Sequence, residues 1–172
     1  MRERPSVARQ IGVGALLLVL VALIAVLGSL ASTANVDGWY ATANKVAWDP
    51  PNAVFGPVWS ALYFLIALAG WLIWRAGYRA GEPNAARRVL TVFGVQLVLN
   101  GLWTPVFFAG YPLIGEVAWW LALAIIVALM VTVVWLGVAG ARWSRIATAI
   151  MVVYLLWLLF ATSLNVGIIV LN

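Results

Sequence analysis

The sequence predicts an all-α integral membrane protein: a bundle of five transmembrane helices in a single domain covering residues 1–172. Three observations point there. Of the 172 residues, 66% are hydrophobic and 9% charged, and the mean hydropathy is +1.07, a composition foreign to soluble domains. Apolar runs of about 20 residues or more, the length that crosses a bilayer as a helix, recur along the chain. Nine of the ten Lys and Arg gather in the N-terminal segment and in alternate connections between those runs, as the positive-inside rule expects of a multi-span protein.

The first span is placed at about residues 8–31. Arg2, Arg4 and Arg9 precede an apolar run from Ile11 to Ala31 that is interrupted only by Ser29. With small residues near Ala34, this has the outline of a signal peptide. The run is longer than the roughly 15 residues of such an apolar region, so it is read as a retained helix. Residues 32–53 then form an aromatic connection carrying Trp39, Tyr40 and Trp48. Indole and phenol rings suit a membrane interface because each is apolar with one polar tip. Pro50 and Pro51 fix φ and favour extended backbone, so the segment is predicted to be a shaped lid rather than a loose tether.

The second span, about 54–76, opens between Asn52 and Pro57, where proline is tolerated because first-turn amides have no partner within the helix. Gly77, Gly81 and Pro83 end it. The third span, about 85–108, contains Pro105, which is expected to kink its last turns by removing the bond to the Gly101 carbonyl. Gly110, Tyr111 and Pro112 read as a short turn before the fourth span at about 113–138. A small basic connection around Gly140 to Arg142 leads to the fifth span at about 144–171. No internal repeat is evident, which argues against an inverted-repeat transporter within one chain.

Charge sets the expected orientation. Nine arginines lie in the N-terminal segment (Arg2, Arg4, Arg9), around the second connection (Arg75, Arg79, Arg87, Arg88) and at the fourth (Arg142, Arg145), against Lys45 alone on the other side. The N-terminus is therefore predicted to be cytoplasmic, with the aromatic lid and the C-terminus outside. The basic residues sit at helix ends rather than in one patch, so no nucleic-acid partner is expected.

Cysteine and histidine are both absent. That removes thiol chemistry, disulfides, Cys/His zinc sites and the usual haem ligands, and no metal is expected. No charge lies near the middle of a span, which argues against a proton pump or ion-coupled carrier. Serine nucleophiles lack a histidine partner, and neither paired carboxylates nor a glycine-rich phosphate loop is present.

What remains is polar and aromatic residues on helical faces. Gln96, Asn100 and Trp103, spaced i, i+4, i+7, share one face of the third span, while Thr162 and Asn165 group with Trp157 and Ala161 on the fifth. Such amides either tie helices together or line a pocket. The eleven Trp exceed the needs of two interfacial belts, so some line an interior surface unless all are belt and packing residues; Trp59 and Trp157 carry the same alternative. Small pairs such as Ala118/Ala122, Ala124/Ala128 and Gly94/Gly101 permit close helix contact within or between chains.

Together these residues resemble the tryptophan-rich sensory proteins, the TspO/MBR family that includes the mitochondrial translocator protein. The resemblance is carried by Trp39-Tyr40, Lys45, Trp48-x-Pro50-Pro51 and Pro57-x-Trp59-x-x-Leu62-Tyr63. It continues in Gln96-x-x-x-Asn100-x-x-Trp103-x-Pro105-x-Phe107-Phe108, then Tyr154-x-x-Trp157, Ala161-Thr162 and Leu164-Asn165. It implies a five-helix bundle, often a homodimer, in a membrane, here a bacterial cell membrane. It also implies a pocket for porphyrins and similar lipophilic ligands, closed by the first connection. Carried over by motif, Trp39, Tyr40, Trp48 and Pro51 belong to the lid, and Trp59, Asn100, Trp103, Tyr154, Trp157 and Ala161 line the pocket. Light-dependent porphyrin breakdown, attributed in bacterial relatives to the tryptophans matched by Trp59 and Trp157, makes these two the candidate photochemical donors. The chain departs from the pattern where Val46 and Val153 replace common prolines, and no Lys or Arg follows Tyr154, which removes the short cholesterol pattern of the animal proteins.

The function expected from these residues is a membrane receptor for a flat tetrapyrrole, a protoporphyrin IX-like ligand, with no required cofactor. The rivals are photo-oxidative degradation of that ligand as the main activity, carriage of porphyrins or other lipophilic molecules, and a regulatory membrane partner.

Overall fold

The computed structural model describes residues 4–172, and Arg2, counted above among the N-terminal charges, lies outside them. The long helices are α1 (Val7–Val36), α3 (Phe55–Ala76), α4 (Arg87–Phe108), α6 (Val117–Gly140) and α7 (Arg145–Leu171). Single turns form α2 (Trp39–Thr42) and α5 (Tyr111–Ile114), and a 3-10 turn, Asn52–Val54, leads into α3. Among the described residues the five long helices, α3 with its leading turn, are the ones long and apolar enough to cross a membrane. The protein is an integral membrane protein with the five-helix architecture read from its sequence.

Local chemistry explains where the boundaries differ from the sequence reading. The first span continues to Val36 because its polar residues bond backwards onto the helix: Ser32 donates to the Ser29 carbonyl and Asn35 to the Ala31 carbonyl. Hydroxyl and amide side chains that return to a preceding turn are compatible with helix, so the lid begins near Asp37 rather than at residue 32. The lid is partly helical, in the turn Trp39–Thr42. The fourth span begins at Val117 rather than Leu113, because Tyr111–Ile114 is a separate turn closed by Gly115 at φ +62°. That backbone suits glycine and breaks the helix. α4 runs on through Pro105, whose own carbonyl takes the amides of Ala109 and Gly110 at the helix end.

The five spans form a ring. α1 packs on α3 and α4, α4 on α6, α6 on α7, and α7 on α3, while α3 and α4 meet more lightly across the middle. The core between them holds Ile66, Ile73, Ile126, Leu129, Leu136 and Leu158, all essentially inaccessible. Gly70 lets the Phe93 ring lie against α3: a β-carbon there would stand 2.6 Å from the ring tip, inside any tolerated carbon contact. α1 is the least embedded member, with only Val21 and Gly28 buried. At one end it is anchored where the Trp71 indole donates to the Gln10 carbonyl. At its other end it stands beside an open space.

Candidate functional site

That space is a cavity of about 570 Å³ at the lid end, between α1, α3, α4 and α7, a size within the range of small-molecule sites. Helical spacing brings its walls together. Trp59 and Tyr63 (i, i+4) come from α3, Trp103 and Phe107 (i, i+4) from α4, and Ala161, Leu164 and Asn165 from α7. The aromatic rings form a continuous surface. Trp59 and Trp103 have ring centres 6.5 Å apart, Trp59 and Tyr63 5.4 Å, and Trp103 stacks on Phe107 at 5.6 Å with planes 18° apart. α1 adds small and hydroxylated residues, Ala25, Gly28, Ser29, Ser32 and Thr33.

Two polar groups on this wall are buried and unmatched within the chain. The Trp103 indole N–H has no acceptor, and Asn165, 1% exposed, spends its amide N–H on the Trp119 carbonyl at 3.2 Å while its Oδ1 has no donor. An unmatched polar atom in an apolar interior costs roughly 2 kcal/mol or more. Both atoms lie behind the cavity surface, out of reach of water, so an occupant meets them only if the wall shifts.

Below the aromatic wall lies a buried polar layer. The Tyr63 hydroxyl donates to Asn100 Oδ1 at 3.2 Å, and the Asn100 amide donates in turn to the Tyr154 hydroxyl. This joins α3, α4 and α7. One turn further along α4, Gln96 is fully buried, and neither its amide oxygen nor its nitrogen has a partner in the chain.

Of the ten residues assigned to ligand binding from the sequence, Tyr40, Trp59, Trp103 and Ala161 line the cavity. The other six lie outside its lining. Asn100 and Tyr154 belong to the polar layer, and Trp157 stands behind Trp59, edge to face at 6.3 Å. Trp39 turns away into a second cluster, against Tyr111 at 4.5 Å and Trp119 at 5.4 Å. Trp48 is 58% exposed and donates to the Ser163 hydroxyl on α7. Pro51 lies exposed on the lid in extended backbone, at φ −53° and ψ 140°.

The lid is fastened at several points. The Trp39 indole donates to the Phe108 carbonyl at 3.0 Å, and Asn44 and Asn172 exchange hydrogen bonds across the end of α7. Val46 fits against Gly167, where any β-carbon would collide with it. Tyr40 donates to the Asp49 carboxylate at 3.3 Å, with the Lys45 ammonium 4.2 Å over its ring. Burial pushes the Tyr40 hydroxyl well above the usual phenol range, and the Asp49 charge adds to this, so it stays a proton donor.

Sequence reasoning missed the contribution of α1. The signal was present, because Ser29, Ser32 and Thr33 fall at i, i+3, i+4, one face of an otherwise apolar helix. Tyr63 was noted only as part of a motif, and Asn165 as an amide that either ties helices together or lines a pocket, although both meet the cavity.

Comparison with known proteins bears on this arrangement. The model of the TspO/MBR family matches residues 15–171. The chain is similar to the tryptophan-rich protein TspO of Archaeoglobus fulgidus, 36% identical over 146 residues that cover 84% of this chain and 87% of the relative. It is 34% identical to the tryptophan-rich sensory protein of Cereibacter sphaeroides, over 75% of this chain and 73% of that one. It is 35% identical to the human translocator protein, over 74% and 70% respectively.

Proposed function

The chain belongs to the TspO/MBR family, and from that premise we propose that it is a membrane receptor for a flat, lipophilic, tetrapyrrole-like ligand bound in the cavity beneath the lid. The observation that carries this reading is the joined aromatic wall of Trp59, Tyr63, Trp103 and Phe107. It faces a space of about 570 Å³ whose lining also includes the hydroxyl-bearing Ser29, Ser32, Thr33 and Thr104. Extended ring surface supplies stacking area, and a few fixed polar atoms supply orientation. The same wall supports light-dependent turnover of the ligand: an indole in contact with a photoexcited macrocycle can give it one electron, and Trp59 is placed to do so.

The test is titration of the purified protein with protoporphyrin IX in the dark, followed by tryptophan fluorescence. Saturable quenching at one site per chain is expected, and Ser29→Trp, which puts an indole into the cavity from the loosely packed α1, should remove it. Non-saturable quenching, or quenching that Ser29→Trp leaves intact, would place the porphyrin elsewhere and overturn the reading.

The orientation belongs to the same proposal, with the basic end of the bundle cytoplasmic and the lid outside. With no native cysteine to interfere, Ala47→Cys on the lid should react with an impermeant maleimide in intact cells. Ala80→Cys, on the α3–α4 connection, should react only after permeabilisation. The reverse pattern would invert the topology.

A further inference from the structure

The two ends of the bundle carry opposite charge, and the cavity lies at the acidic one. Every arginine among the described residues is at the end away from the lid or in its flanking turns. Several are already engaged there, Arg9 by the Tyr78 hydroxyl, Arg75 over the Trp71 ring and Arg79 by Glu82. The lid end holds three carboxylates, Asp37, Asp49 and Glu116, against the single ammonium of Lys45, and Lys45 is committed to Asp49 and to the face of the Tyr40 ring.

Within the cavity lining the asymmetry is complete. Asp37 is its one charged residue, and no Lys or Arg contributes to it. Asp37 is also placed against local preference. It caps the C-terminus of α1, where the helix dipole disfavours an anion, and among the described residues its carboxylate has no ion-pair or hydrogen-bond partner. Its side chain is exposed at the mouth, so its partners are solvent and whatever group an occupant brings there. The start of α3 also borders this mouth, where the helix dipole favours an anion, but few of its amides are free to hold one. The amides of Val54 and Phe55 already bond to the carbonyls of Pro51 and Asn52, and Pro57 has no amide hydrogen to give.

We propose that Asp37 selects the charge of the ligand: the cavity takes a flat lipophilic molecule whose mouth-facing edge is cationic or uncharged, and disfavours free carboxylates there. This deepens the tetrapyrrole reading above and rests on it for the choice of ring. A carboxylate edge would meet the like charge of Asp37, which is exposed at the mouth, so the repulsion is greatest at low ionic strength. An ammonium edge would find there the only formal counter-charge of the lining.

The experiment holds the ring constant and varies its edge. Protoporphyrin IX, its dimethyl ester and its bis(aminoethyl) amide are titrated in the dark against the full-length protein in neutral-lipid nanodiscs. The proteins are wild type, Asp37→Asn and, as a control at the same end but outside the lining, Glu116→Gln. In wild type the amine should bind tightest and the diacid weakest. Asp37→Asn should weaken the amine and strengthen the diacid by about three- to fivefold each, the size of a partly exposed charge pair, and leave the ester unchanged. Glu116→Gln should change none of them.

A diacid that binds tightest in wild type, or three affinities indifferent to Asp37→Asn, would overturn the proposal while leaving the tetrapyrrole reading in place. A smaller pair, 9-(aminomethyl)acridine and acridine-9-carboxylate, separates the two ideas. If no porphyrin binds but this pair still divides by charge in an Asp37-dependent way, the charge selection stands and the tetrapyrrole reading falls. If neither set divides, the charge selection falls.

Discussion

Replacing Trp59 with phenylalanine should nearly abolish light-driven loss of bound protoporphyrin while leaving dark affinity within about 1 kcal/mol of wild type, the scale of one aromatic contact. Phenylalanine keeps a ring on the wall beside Tyr63 and Trp103 but is much harder to oxidise than indole. Turnover should fall about tenfold or more, because each ~1.4 kcal/mol added to a barrier costs a factor of ten. Trp157 is a different case. It stands behind Trp59 at 6.3 Å and outside the cavity lining, so Trp157→Phe should slow turnover less than Trp59→Phe. Decay of the Soret band under timed illumination gives the rate, and dark fluorescence quenching gives the affinity. Trp74→Phe, beside Tyr78 at the far end, is the control. Equal losses in rate and affinity at Trp59 would make it a binding surface alone, and a matching loss at Trp74 would remove the assignment.

Asn100→Leu should destabilise the bundle by about 2 kcal/mol, a large change for one residue of similar volume. Single interhelical hydrogen bonds in membranes average only about 0.6 kcal/mol, because side chains find other partners in the unfolded state. Asn100, however, accepts from Tyr63 on α3 and donates to Tyr154 on α7, so its loss orphans two phenols, one of them fully buried. Leaving a buried polar group unmatched costs more than the bond itself contributed. Tyr154→Phe should cost less, and the double variant Asn100→Leu/Tyr154→Phe should be more stable than the sum of the single effects predicts. Unfolding titrations in mixed micelles provide the comparison, and strict additivity would show that the layer is not a coupled network.

These two expectations separate residues that the sequence had placed together. Trp59, Asn100, Tyr154 and Trp157 belong to motifs of one family and had been given one role, lining a pocket. In the structure they occupy three positions: on the cavity wall, in a polar layer beneath it, and behind the wall. Gln96, Asn100 and Trp103 share a helical face as their spacing required, yet along that face the environment changes from an unmatched amide to a bonded one to the cavity.

The sequence by itself determined the membrane, the five spans and the family. Those are properties of composition along the chain: a run of about 20 apolar residues must lie in lipid, and the tryptophan and proline motifs are local words. It did not determine the end of α1 or the start of α6, where side-chain bonds back to the helix and a left-handed glycine decided the outcome. Nor did it determine which residues surround the cavity. In a soluble helix the apolar stripe reveals the buried face. In lipid both faces are apolar, so the pattern carries little information about rotation, and the missed stripe of Ser29, Ser32 and Thr33 is the consequence. Only the packing of α1 against α3 and α4, with its lid end left beside open space, turned those hydroxyls and Asp37 toward one cavity.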